Sequence, residues 1–247
     1  DLGVGGPNKS EDVGERVAPD PTEHKAARVE SELQEDNMTA TPMAEGMSPG
    51  LLKVVQRAKR DLAVRFLSLA HLIDEAALTS AYHRLRKDAA VGVDGITKEQ
   101  YGQELESNIR SLHERLKMMR WRHQPIRRVH IPKGRGKTRP IGISSIEDKI
   151  VQEAVQEVLQ AVYEPVFHPC SYGFRPGRGA HEALEKLRLL LQPTGGIGQD
   201  KAGELRLPYQ WAVEGDIKGC FDHIGHHGLM QRVRRRIGDP KVNRLLG

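Results

Sequence analysis

The chain has 247 residues, 38% of them hydrophobic and 29% charged, which is enough apolar material for one large domain or two small ones. No apolar run approaches the ~20 residues of a membrane helix, residues 1–30 lack the apolar centre of a signal peptide, and Cys170 and Cys220 have neither CxxC nor histidine spacing for a zinc site or a disulfide framework, so a reducing cytoplasm fits. The formal charge of +5 conceals a split, because residues 1–50 carry −7 and the remainder +12.

The acidic leader holds almost no large apolar residues and is expected to be disordered, whereas the basic body points to a polyanionic partner. The chain starts at Asp1, with Met38, Met43 and Met47 as candidate initiators, and residues 1–47 are expected outside the fold. From Leu51 onward apolar residues recur at helical spacing: Leu51, Leu52, Val54, Val55, Ala58, Leu62, Phe66, Leu69 and Ile73. A second helix is predicted from Asp74 to Lys87. Its basic face of Arg84, Arg86 and Lys87 suits either solvent or phosphates. Val91–Gly95 reads as a turn with Asp-Gly chemistry. Thr97 and Gln100 form a capping box for a third helix, from Lys98 to about Met118.

Residues 115–139 hold ten Lys or Arg and no acid, with Trp121, His123 and His130 between them. Charge of one sign at this density repels itself unless a polyanion neutralises it. Ile126, Val129 and Ile131, then Pro140, Ile141, Gly142 and Ile143, flank a Pro132–Lys137 loop, which predicts a β-hairpin with a basic tip. The tip contains Gly-Arg-Gly-Lys-Thr. A phosphate-binding P-loop would need glycine where Ile131 stands, and would lead from strand into helix, so that reading is rejected.

Ser144 and Glu147 form a capping box for a helix with one apolar stripe: Ile150, Val151, Ala154, Val155, Val158, Leu159 and Val162. His168–Leu184 then gathers Pro, Gly and aromatic residues around Arg175 and Arg178 before a helix that runs to about Gln192. This loop chemistry suits a sugar-phosphate backbone, with Tyr172 and Phe174 available for packing or stacking. Residues 193–208 read as a flexible connection. Alternation of Tyr209, Trp211 and Val213 predicts a half-buried strand that ends at Asp216. Gly219 allows a sharp exit there. Asp216, Lys218 and Phe221 suit half of a metal-dependent phosphoryl-transfer site; the same residues also suit a strand that merely ends in a turn-forming Asp. Residues 228–237 predict an amphipathic helix with Arg232, Arg234, Arg235 and Arg236 around an apolar face. His223, His226 and His227 lack a helical metal spacing and are read as surface or hinge residues.

In order, Gly-Val-Asp-Gly, then IPKGRGKTRPIGISSIEDKIVQEAV, then SYGFRPGR, then DIKGCFDHI make the chain from about Leu51 resemble the reverse transcriptase/maturase encoded by bacterial group II introns. The resemblance implies an α+β, right-hand polymerase fold of fingers and palm. It divides the chain into a disordered leader (1–48), a helical amino-terminal extension (49–112), fingers (113–192), a flexible connection (193–208) and the start of a palm (209–247). It further implies that Asp216 and the Ile217 backbone carbonyl bind two Mg2+ ions, for which Mn2+ can substitute. Lys133, Arg139 and the Lys218–Gly219–Cys220 backbone would hold the dNTP, with Phe221 as the gate against a 2′-hydroxyl. Arg127, Arg128, Arg135, Lys137, Arg175 and Arg178 would lie near template or intron RNA.

The implied partners are template and intron RNA, a DNA primer or target, and dNTPs, with no membrane. The implied activity is RNA-directed DNA synthesis, with roles in splicing and mobility of the intron. Two alternatives stay open: an RNA-binding splicing cofactor with degenerate catalysis, and a polymerase of the retron, CRISPR-associated or diversity-generating lineages. The family's second motif, Tyr/Phe-Ala-Asp-Asp, does not occur in these residues, where only Asp222 and Asp239 follow Ile217. The chain is therefore expected to be a fragment truncated before that motif and inactive by itself.

Overall fold

A computed structural model describes residues 46–134, 136–191 and 211–247. The expectations for the leader, Arg135, the 193–208 connection and Tyr209 lie outside these residues.

Helix α1 (Pro49–Arg60) opens on Ser48, whose Oγ accepts the Leu51 N–H at 3.4 Å, and on Pro49, which has no N–H to leave unpaired. Leu51, Val54, Val55 and Ala58 are buried along one face. The helix stops at Arg60 because Asp61 takes extended backbone, short of the helical spacing that runs to Ile73. The apolar residues beyond it still enter the core: Val64, Phe66, Leu69, Leu72 and Ile73 are buried, while Leu62 is exposed. A distant partner holds them. The Phe66 N–H donates to the Arg236 carbonyl and the Phe66 carbonyl accepts from the Gly238 N–H, both at 2.7 Å, forming a parallel bridge with Ile237.

Helix α2 (Glu75–Arg84) is capped by Asp74, which accepts the Ala77 N–H at 2.8 Å. Its predicted basic face is partly structural, since Arg84 donates to Glu153 at 2.9 Å and to Glu157 at 3.0 Å. The third predicted helix is two helices, α3 (Lys98–Gly102), with the expected Thr97–Gln100 capping box, and α4 (Leu105–Lys117). Packing explains why glycine stands at the break. A Cβ on Gly102 would lie 2.2 Å from the Tyr82 hydroxyl, which itself donates to the Lys98 carbonyl at 3.0 Å.

Strands β1 (Arg127–Pro132) and β2 (Thr138–Ile143) form the predicted antiparallel hairpin, in register from Arg127 opposite Ile143 to Pro132 opposite Thr138. Helix α5 (Ile146–Tyr163) follows. Its cap is Ser145, which accepts the Asp148 N–H at 3.2 Å, one residue later than the predicted Ser144–Glu147 box. Glu147 instead accepts from Arg115 at 2.7 Å, tying α5 to the end of α4. Ile150, Val151, Ala154, Val155, Val158 and Val162 are buried as expected, and α5 packs against both α1 and α2. Each Val or Ile among them is worth roughly 2 kcal/mol when buried, so α5 is the spine of the core. Gly92 in the Val91–Gly95 turn meets the start of this helix so closely that a Cβ would lie 2.5 Å from the Ser145 Cα.

Helices α6 (Ala180–Leu191), α7 (His226–Arg236) and α8 (Pro240–Leu246) complete the described elements. α7 starts two residues before the predicted Gly228, and α8 was not predicted. The predicted strand through Trp211 and Val213 is not formed: residues 211–216 are irregular, with Trp211 91% and Val213 99% exposed. A strand needs a ladder partner, and the described sheet contains β1 and β2 alone. Among the described residues no helix is long and apolar enough to cross a membrane.

Candidate nucleic-acid interface

Strand alternation and the observed register put Arg127, Val129 and Ile131 on one face of the hairpin with Arg139, Ile141 and Ile143. The four aliphatic residues of this face are half-buried, whereas Arg128, His130 and Pro132 line the opposite, exposed face with Thr138, Pro140 and Gly142. Lys133 follows the last residue of β1, and Arg139 is the second residue of β2, so both stand at the tip end of the hairpin. The tip is tight: the Lys133 N–H donates to the Lys137 carbonyl at 2.7 Å and the Lys137 N–H to the Gly134 carbonyl at 3.1 Å. Gly134 and Gly136 take φ of +60° and +70°, conformations that favour glycine. The side chains of Arg128, Lys133, Lys137 and Arg139 are all exposed. A guanidinium and an ammonium at one hairpin end are suited to phosphate oxygens.

The His168–Gly179 loop corrects the reading of Arg175. Arg175 is 6% exposed and turned inward. It donates to the Glu164 carboxylate through Nε (3.1 Å) and Nη2 (2.7 Å), and through Nη1 to the carbonyls of His168 (3.0 Å) and Ser171 (2.6 Å). Its guanidinium also lies 5.1 Å from the centre of the Phe167 ring. Arg178 donates to the Pro169 carbonyl at 2.6 Å and lies 5.5 Å from the Tyr172 ring centre. Both arginines build the loop. The side chain presented to solvent is Phe174, 80% exposed at φ +56°, a left-handed conformation uncommon for a bulky residue and stored mainly where the surroundings impose it. Packing is the wrong reading for this ring.

The Asp216 segment is fully exposed. Ile217 is 73% and Phe221 85% exposed, and Asp216, Lys218 and Cys220 are exposed with them. Gly219, at φ +60°, turns the chain into a single 3-10 turn at Phe221–His223, and the His223 ring Nδ1 lies 2.7 Å from the Gly219 carbonyl. This ring braces the turn. Asp216 and the Ile217 carbonyl are hard oxygen donors of the kind Mg2+ takes. Among the described residues, however, no group of three or more His, Cys, Asp or Glu gathers to hold a metal ion.

Two structural residues escaped the sequence reading. Arg236, read as surface charge on a basic helix, donates to the carbonyls of Leu62 and of Val162 (3.3 Å), clamping α7 to the 61–73 segment and to the end of α5. Asp239 is 5% exposed and accepts four backbone N–H groups. An Asp directly before Pro is a recognisable helix-opening pair, and that signal could have found both Asp239 and α8.

Residues 131–246 match the family model of reverse transcriptase (RNA-dependent DNA polymerase). The chain thus belongs to the reverse transcriptase family. Its relatives include a group II intron-encoded protein. The chain is 36% identical to the group II intron-encoded protein LtrA of Lactococcus lactis subsp. cremoris over 167 residues, 67% of this chain and 25% of that protein. It is 34% identical to protein YkfC of Escherichia coli (strain K12) over 198 residues, 78% of this chain and 49% of that one. It is 31% identical over 175 residues to an uncharacterized 91 kDa protein in the cob intron of Schizosaccharomyces pombe, 71% of this chain and 20% of that one. The chain spans about half the length of YkfC and a quarter or less of the other two.

Proposed function

We propose that the chain forms the extension, the fingers and the first part of the palm of an RNA-directed DNA polymerase that acts on its own group II intron in a bacterial cytoplasm. In this reading the whole polymerase adds dNTPs to a DNA primer and assists splicing and retrohoming of the intron RNA. One observation carries it: an acid-free hairpin with exposed Lys133 and Arg139 at its tip end, followed in order by the Arg175 loop and by exposed Asp216 and Phe221.

Nucleotide addition is an in-line displacement at phosphorus that depends on positioning and charge neutralisation. Lys133 and Arg139 hold the triphosphate, and the Lys218–Cys220 backbone lies against it. Phe221 excludes a 2′-hydroxyl by bulk. Asp216 and the Ile217 carbonyl would hold Mg2+, which supplies charge neutralisation at the transferred phosphorus when bound. Such a site requires more than one carboxylate, so the 247 residues bind nucleic acid without polymerising.

The test is direct. The purified chain is expected to bind RNA and to give no primer extension with dNTPs and Mg2+. Extension by the chain alone would remove the requirement for further carboxylates, and failure to bind RNA would remove the reading. Replacing Arg127 and Arg128 with Gln is expected to weaken RNA binding about 10-fold near 0.1 M salt, and to lower the slope of log affinity against log salt by about 1–2. A slope that does not change would take the hairpin out of the interface.

A further inference from the structure

The turn from Lys218 to Ile224 stands off the core and carries its own brace. Gly219 takes φ of +60°, and the 3-10 turn at Phe221–His223 follows at once. The backbone bonds of this turn are long: the His223 N–H donates to the Cys220 carbonyl at 3.2 Å and the Ile224 N–H to the Phe221 carbonyl at 3.4 Å. The side-chain bond is the short one, 2.7 Å between His223 Nδ1 and the Gly219 carbonyl. A carbonyl oxygen only accepts, so Nδ1 carries the proton, and in the neutral ring Nε2 keeps its lone pair. The ring also covers the glycine. A Cβ on Gly219 would lie 3.2 Å from both Nδ1 and Cε1 of His223, so the left-handed backbone and the ring contact both favour glycine there. Phe221 lies within the loop that this bond closes. It is 85% exposed, so packing does little to fix its ring.

We propose that His223 is a positioning residue for nucleotide selection. By closing residues 219–223 with its Nδ1–H, it fixes the backbone that carries Phe221 and the Cys220 N–H. The peptide between Gly219 and Cys220 is planar and trans, so a carbonyl held on the ring sends the Cys220 N–H the opposite way. That N–H belongs to the backbone read above as lying against the triphosphate. The gate depends on the same closure. Bulk excludes a 2′-hydroxyl only while it stays in place, and a shift of about 1 Å at a positioned group costs up to about 100-fold. The inference rests on the polymerase reading above, and on Phe221 as its barrier to ribonucleotides.

The test uses two samples. In the 247-residue chain, long-range 1H–15N NMR at about pH 8, above the ordinary histidine range, is expected to show His223 as the Nδ1–H tautomer. An Nε2–H ring would overturn the brace. In the whole polymerase that contains these residues, single-nucleotide primer extension measures kcat/KM for a dNTP and for the matching rNTP. His223 is exposed, so its variants leave the core untouched. H223L removes the donor and is expected to lower the dNTP-over-rNTP ratio about 10-fold, through easier ribonucleotide use. H223N places an amide N–H close to where Nδ1 stood and is expected to return the ratio to within about 3-fold of wild type. A ratio unchanged in H223L, dNTP and rNTP use reduced alike, or no recovery in H223N would each overturn the proposal and leave the proposed function standing. No extension by the wild-type polymerase would overturn both.

Discussion

Replacing Asp239 with Ala is expected to cost the fold about 4 kcal/mol, measured as the loss of unfolding free energy in chemical denaturation at neutral pH. The carboxylate is buried and accepts from four backbone donors: Leu69 (2.7 Å) and Ala70 (2.8 Å) on Oδ2, Lys241 (2.8 Å) and Val242 (3.3 Å) on Oδ1. Two of these belong to the 3-10 turn at Ala70–Leu72 and its cap, and two to the first turn of α8. Alanine therefore uncaps a helix and leaves buried N–H groups unpaired in a second element. Asn keeps one acceptor oxygen but turns an NH2 group toward two donors, so it is expected to recover less than half of the loss.

The pH dependence follows from the same bonds. Burial raises the Asp239 pKa, but the four N–H groups together outweigh it and hold the carboxyl below its ordinary range. A depressed folded-state pKa adds stability above the unfolded-state value of about 4, and that stability is lost as pH falls through it toward the folded value. The gap between wild type and D239A should accordingly narrow on acidification below pH 4. A cost below 1 kcal/mol at pH 7, or a gap that widens in acid, would refute this account.

Arg175→Ala is expected to be nearly as damaging, at about 3–4 kcal/mol, and more local in its effect. It strands the Glu164 carboxylate, whose side chain is 13% exposed, and leaves the His168 and Ser171 carbonyls without their donor. The loop should open, so that trypsin cuts at Arg178 and at Lys186 of α6 far faster than in wild type. Arg175→Lys keeps the charge but lacks the fork that serves a carboxylate and two carbonyls together, and should rescue little. The E164A/R175A double variant should be less damaged than the sum of the singles, because the two changes remove one interaction. Wild-type proteolysis in R175A would show that the arginine does not hold the loop. With the loop open, the strained, exposed Phe174 loses its fixed position, so R175A should also weaken RNA binding although the arginine itself faces inward.

Those arginines show where a sequence stops being readable. Arg175 and Arg178 look alike on paper as charges flanking a Pro-Gly pair, and only the placement of Glu164 and of the His168 and Ser171 carbonyls turned Arg175 inward. The hairpin was legible because its information is local: alternating β-branched residues, a Gly-Arg-Gly tip and proline near its ends. The α5 stripe was legible for the same reason, though its cap slid by one residue when Arg115 took Glu147. The 61–73 segment misled because its apolar spacing reports burial, and burial there comes from Ile237 and Asp239 rather than from a helix. The strand expected at Trp211–Asp216 failed for a related reason. Alternation specifies a face, but a ladder needs a neighbour that the described residues do not provide.

The bond between Leu69 and Asp239 spans 170 residues of chain. On a ribosome that adds roughly 5–20 residues per second, Phe66 and Leu69 leave the exit tunnel on the order of 10–30 s before the backbone groups that will cover them. Throughout that interval their apolar side chains lack this part of their native cover. This chain thus has a built-in window, set by the speed of translation, in which early-emerging RNA-binding elements coexist with an uncovered sticky segment. Slower translation between codons 73 and 236 would lengthen it, and chaperone dependence should rise with it.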